Sequence, residues 1–94
     1  MQYIHNESIL AMERITKGEL LITYRLFETS GDYRASYSAL VSLQSRCGNE
    51  EDYFIPDLAG NRMGALVLFD KLCKNAVLPC EVEEIYSDGF AEIL

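Results

Sequence analysis

From Tyr33 to Gln44, apolar and polar residues take turns. Tyr33, Ala35, Tyr37, Ala39, Val41 and Leu43 fall on one side; Arg34, Ser36, Ser38, Ser42 and Gln44 fall on the other, and Leu40 alone interrupts them. Period-two alternation of this length predicts an antiparallel strand with one buried face, its serine-rich side toward solvent. Upstream, Glu19 to Glu28 carries Leu20, Leu21, Ile22, Thr23, Tyr24, Leu26 and Phe27. Such β-branched and aromatic enrichment also predicts a strand. Ser8 to Thr16 fits two patterns. Asn6 suits a helix cap before Ile9, Leu10 and Glu13, yet Ile9, Ala11 and Ile15 alternate with Leu10, Met12 and Arg14. The tight-turn pair Lys17-Gly18 ahead of the Glu19 strand favours a hairpin, so this segment is read as a strand.

Thr29-Ser30-Gly31-Asp32 reads as a second turn and the polar run Cys47 to Asp52 as a third. Tyr53-Phe54-Ile55 is then a short strand. Pro56 has no N–H for a ladder, so it ends that strand or places it at an edge.

Beyond Pro56 the period changes. Asn61 is a good helix cap. Arg62 to Asn75 carries Ala65, Leu66, Leu68, Phe69, Leu72 and Cys73 at helical spacing. Lys71 and Lys74 complement the helix dipole in the last turns. Asn75 is expected to end the helix in a left-handed turn, and Gly64 costs some helicity. Pro79 at a first helical position, followed by Glu81, Glu83 and Glu84, predicts a short helix to about Tyr86 with Val82, Ile85 and Tyr86 inward. Asp88-Gly89 reads as a turn, and Phe90 to Leu94 as an apolar tail packing back. The expected fold is therefore one α+β domain over residues 1–94. An antiparallel meander of three to four strands (about 8–56) carries one main helix on one face and a short C-terminal helix (about 61–87).

Composition agrees with a folded domain: 94 residues, 49% apolar and 24% charged. The net charge of −7 argues against binding a phosphate backbone or an anionic membrane surface. No basic stretch precedes a long apolar run at the N-terminus, and the longest apolar run is Ala65 to Phe69. A membrane span needs about 20 such residues, so a cytoplasmic protein is expected. Cys47, Cys73 and Cys80 make an odd count without zinc-knuckle spacing, which suits reduced thiols.

The C-terminal half resembles a known pattern. Ile55-Pro56-Asp57-Leu58-Ala59-Gly60-Asn61, Leu66 to Asn75, Val77-Leu78-Pro79 and Val82-Glu83-Glu84-Ile85 are similar to a family of short uncharacterised proteins from Gram-positive bacteria. In that family a segment ending "D-I-S" leads into a helix ending "L-C-N", an "L-S-P" break and an acidic "V-V-E-D-F-L" tail. Here Leu72-Cys73-Lys74-Asn75 and Leu78-Pro79 stand for the middle elements, and Phe90 to Leu94 for the tail. Gly60, Gly64 and Ser87-Asp88-Gly89 depart from the pattern. The resemblance covers a third to a half of the chain. It implies a bacterial cytoplasmic protein and supplies no catalytic residues.

Candidate chemistry is sparse. His5 is the only histidine and lies in a segment prone to fraying, so neither a nucleophile–base pair nor a multi-histidine metal site is expected. Cys73 falls on the apolar helix stripe; Cys80 has acidic neighbours that oppose a thiolate. Glu50-Glu51-Asp52 and Glu81-Glu83-Glu84 lack the alternation and central glycine of a calcium loop. No phosphate loop, dinucleotide fingerprint or nucleophile elbow occurs. Tyr24, Tyr33, Tyr37 and Tyr53 fall on strands with Arg25 and Arg34 nearby, an arrangement that on a basic protein would suit stacked single-stranded bases. Here the acidity favours packing under the helix. No catalytic, cofactor or metal residue is expected. Arg25, Arg34, Tyr33 and Tyr37 are the candidates for a partner surface. The expected function is a small non-enzymatic binding or regulatory protein acting through protein contacts, as a homodimer or with another protein, exposed sheet edges being one route. The alternative is a small-ligand binder or enzyme with its site between helix and sheet or at a dimer seam.

Overall fold

In a computed structural model of the chain, residues 6–31 and 34–87 are described. Strands β1 (Asn6–Lys17), β2 (Leu20–Ser30), β3 (Ala35–Ser45) and β4 (Glu50–Ala59) precede helices α1 (Arg62–Lys74) and α2 (Pro79–Ser87). The sheet order is β1-β2-β3-β4 and each neighbouring pair is antiparallel. This is the predicted meander. Gly18 (φ 63°) and Gly48 (φ 95°) turn the first and last hairpins in the left-handed region, where a Cβ is strained.

The last hairpin differs from expectation. Glu50, Glu51 and Asp52 belong to β4 and pair with Gln44, Leu43 and Ser42. Only about four residues make the turn, closed by the Ser45 carbonyl accepting from Gly48 N–H (3.0 Å) and the Asn49 carbonyl accepting from Ser45 N–H (2.9 Å). Pro56 does not end the strand. It lies on an edge strand, between Ile55 (paired with Ala39) and Ala59 (paired with Tyr37), where the register shifts. A missing N–H breaks no regular ladder there. β1 carries a matching irregularity, with Leu10 as the extra residue between Ile9 and Ala11.

Both helices cover one face of the sheet. Ile22, Tyr24 and Leu26 of β2, Tyr37, Ala39 and Val41 of β3, and Ile55 and Leu58 of β4 meet Ala65, Phe69, Leu72, Cys73, Val77 and Val82 in one core. The packed stripe of α1 is Ala65, Phe69, Leu72 and Cys73, and Leu66, expected in it, is 37% exposed. A sheet face receives only a narrow stripe of a helix, and Leu66 lies about 100° around the axis from Ala65. Val82 is fully buried as expected. The expected inward side chains of Ile85 and Tyr86, the Asp88-Gly89 turn and the Phe90–Leu94 tail lie outside what is described, as do His5, Asp32 and Tyr33.

Local chemistry sets the helix ends. Asn61 is extended, and its side chain accepts from Gly64 N–H at 2.7 Å. At the other end the left-handed residue is Ala76 (φ 46°), not Asn75 (φ −92°). The Asn75 amide donates to the Lys71 carbonyl at 2.8 Å, which leaves Asn75 outside the left-handed region. Val77 N–H reaches the Leu72 carbonyl (3.2 Å) and Ala76 N–H the Cys73 carbonyl (3.1 Å). This is a Schellman closure with alanine where glycine is usual. Glu81 then accepts from Leu78 N–H at 2.8 Å, half of a capping box for α2.

Candidate functional site

The face of the sheet away from the helices is open. The pairings place its side chains in rows. Met12, Arg25, Leu40 and Phe54 run straight across β1 to β4, as do Arg14, Thr23, Ser42 and Asp52. Ile9 lies opposite Phe27, and Thr16, Leu21, Gln44 and Glu50 form the row toward the first and last turns. Ile9 is 56% exposed, and Met12 and Phe54 are each 50% exposed. Phe27 and Leu40 are half-buried between them, and Leu21 is half-buried in the turnward row. The result is an apolar band spanning all four strands. Single exposed apolar residues are ordinary on a protein surface; a contiguous band points to a contact.

The serine side of β3 is less wet than expected. Ser38 on β3 and Thr23 on β2 are buried on this open face. Neighbouring Phe27, Leu40 and Arg25 are long enough to reach over them. Leu40, the interruption in the serine pattern, sits at the middle of the band. It was the signal in the sequence for this surface, together with Phe54 and Met12 on the flanking strands.

Of the four partner-surface candidates, the three that are described do not converge. Arg25 stands half-buried within the band. Arg34 is exposed at the start of the hairpin, its carbonyl accepting from Gly31 N–H at 3.1 Å. Tyr33 is outside the described residues. Tyr37 lies on the helix face, 6% exposed, and donates its hydroxyl to Glu28 at 2.9 Å. Glu28 also accepts from Arg62 Nη2 (2.9 and 3.1 Å) and Nε (3.3 Å). The Arg62 guanidinium, then the Tyr37 hydroxyl, hold the Glu28 carboxyl below its usual range. Tyr37 titrates higher than usual because its hydroxyl serves that carboxylate. This trio fastens the start of α1 to β2 and β3.

Tyr24 is fully buried and donates to the Val77 carbonyl at 2.8 Å. Burial, then the nearby Cys73 thiol and Glu81 and Glu13 carboxylates, push its phenol up. Cys73 is buried too, and burial followed by the Glu13 carboxylate pushes its thiol well above the ordinary range. A thiol so disfavoured as thiolate is a poor nucleophile. Cys47 and Cys80 are exposed and free. Among the described residues no three His, Cys, Asp or Glu side chains gather to hold a metal, and no helix is long and apolar enough to cross a membrane.

Comparison with family models, curated proteins and solved structures returns no match.

Proposed function

We propose that this chain is a small non-enzymatic binding or regulatory protein that works through protein–protein contacts, and that the open sheet face is its contact surface. One observation carries this reading: Ile9, Met12, Phe27, Leu40 and Phe54 form an apolar band across the face left bare by the helices. Burying such surface yields about 25 cal/mol per Å². The edges offer less. β4 presents Glu50, Glu51, Asp52 and Pro56, and β1 is broken at Leu10. Charge, proline and bulges are the usual devices that blunt an edge against pairing. The similarity of the C-terminal half to short proteins of Gram-positive bacteria is compatible with such a role in the bacterial cytoplasm. A ligand site between helix and sheet is disfavoured, because Tyr24, Ile22, Leu26, Ile55, Leu72, Val41 and Val82 fill that space and are fully buried.

The test is a photo-reactive amino acid placed at Phe54 or, as control, at Val67 on the outer surface of α1, with cross-linking in the producing cell. Protein adducts concentrated at Phe54 are the expected result. Equal yields at both positions, or none at Phe54, overturn the assignment of the face.

A further inference from the structure

Building on that reading of the open face, we infer that its occupant is a second copy of this chain, stacked sheet on sheet about a two-fold axis parallel to the strands. The charges carry the argument. In the row Arg14–Thr23–Ser42–Asp52 the cation lies on β1 and the carboxylate on β4, at opposite edges of the face. Among the described residues neither Arg14 nor Asp52 forms an ion pair within the chain. Rotation about an axis along the strands carries β1 of one copy over β4 of the other. Arg14 then faces Asp52 of the second copy, twice by symmetry, and Thr23 faces Ser42. In the next row Met12 meets Phe54, a favourable sulfur–aromatic pairing, and Arg25 lies over Leu40.

The other two-fold, across the strands, stacks β1 on β1 and β2 on β2. Centred on the apolar row, it keeps each edge over the same edge of the second copy, so Arg14 on β1 does not meet Asp52 on β4 and both charges stay unpaired, while Arg25 stands squarely against Arg25. The surface is thus self-complementary in one orientation, as an isologous interface requires. The orientation is also the aligned packing that twisted sheets adopt, at about 30° between strand directions. Opposed charges at the two edges matter more in a chain whose net charge of −7 otherwise repels its copy. Size is adequate: four strands spaced about 4.8 Å, over about eight residues of 3.3 Å rise, give a flat footprint of roughly 500 Å². Side-chain relief raises this toward the roughly 800 Å² per partner of a specific interface.

The experiment is sedimentation equilibrium of the full chain, of Arg14→Asp, of Asp52→Arg, and of an equimolar mixture of the two variants. Both sites are exposed, and circular dichroism checks that each variant folds. The wild type should dimerise. Each variant places like charges opposite one another at both symmetric contacts, so its dimer should weaken by about tenfold or more in Kd. In the mixture, the carboxylate introduced at position 14 of the first variant faces the guanidinium introduced at position 52 of the second. At the other contact, the first variant's unchanged Asp52 faces the second variant's unchanged Arg14. The mixed dimer should recover wild-type affinity, and native mass spectrometry resolves it from the parents. A dimer indifferent to both reversals, or a mixture no tighter than its parents, overturns the two-fold arrangement. A wild type that stays monomeric at about 1 mM, far above usual specific affinities, overturns self-association altogether. The wider reading is judged separately, since Phe54 adducts to other proteins sustain it whatever the sedimentation result.

Discussion

The phenol of Tyr24 offers a measurable hold on how the helices are fixed to the sheet. Tyr24→Phe keeps the buried ring and removes one hydroxyl. That hydroxyl lies 2.8 Å from the Val77 carbonyl and joins β2 to the link between α1 and α2. Tyr24 is fully buried and Val77 is 3% exposed, so water has no access to replace it. Removing the donor leaves a buried carbonyl without its partner, which costs about 1–3 kcal/mol, taken here as about 2 kcal/mol. For a domain of this size that corresponds to a fall in Tm of roughly 10 °C. Urea unfolding followed by far-UV circular dichroism measures it, with an unchanged denaturant slope showing that the same surface is exposed. Tyr37→Phe is the comparison. Its hydroxyl meets Glu28 at the rim, where Arg62 still holds the carboxylate, so its loss should be smaller. A Tyr24→Phe variant within about 0.5 kcal/mol of wild type, below the typical value of one hydrogen bond, would refute the reasoning.

Three further outcomes follow from the same geometry. Ala76→Gly relieves a left-handed residue in the Schellman closure and should stabilise the protein by about 0.5–1 kcal/mol; a loss of stability in urea unfolding contradicts this. Glu28 is held below its ordinary pKa by Arg62 and Tyr37, so the stability it contributes is complete above the usual glutamate value of about 4.3 and is lost as pH falls through its lower folded value. Glu28→Gln should therefore flatten the acid limb of the stability–pH curve, and an unchanged limb rules out that assignment. Alkylation of the native protein, mapped by peptide mass spectrometry, should modify exposed Cys47 and Cys80 and spare Cys73 until denaturant is added; rapid labelling of Cys73 speaks against its burial.

The meander was legible because its signals are local. Alternation over residues 35–43 matches the buried pattern of Tyr37, Ala39 and Val41, and Lys17-Gly18 correctly joined β1 to β2. Asn61 is the helix cap that its position suggested. Most of the departures are tertiary, and one, at the end of α1, is local. Leu66 is apolar at helical spacing, but only contact with the sheet decides which stripe of α1 is buried. For Pro56 the edge position, one of its two expected outcomes, is the one found; only the irregular register beside it, which lets β4 continue to Ala59, was not visible in the sequence. The reversal after α1 moved from Asn75 to Ala76 because the Asn75 side chain found the Lys71 carbonyl. The open face was the least legible feature. In Tyr53-Phe54-Ile55 the period allows either parity, and Ile55 took the core side, leaving Phe54 outside. Met12, Leu40 and Phe54 are far apart in sequence, and only strand register places them in one row.

That row can be probed directly because, among the described residues, one exposed methionine lies on each surface. Met12 is 50% exposed on the open face, and Met63 is 73% exposed on α1. Brief peroxide oxidation, read by peptide mass spectrometry, compares the two in the producing cell and in dilute purified protein. A contact surface on the open face predicts that Met12 is protected in the cell relative to dilute solution while Met63 oxidises equally in both. Equal oxidation of Met12 in the two conditions, or protection confined to Met63, would contradict the account.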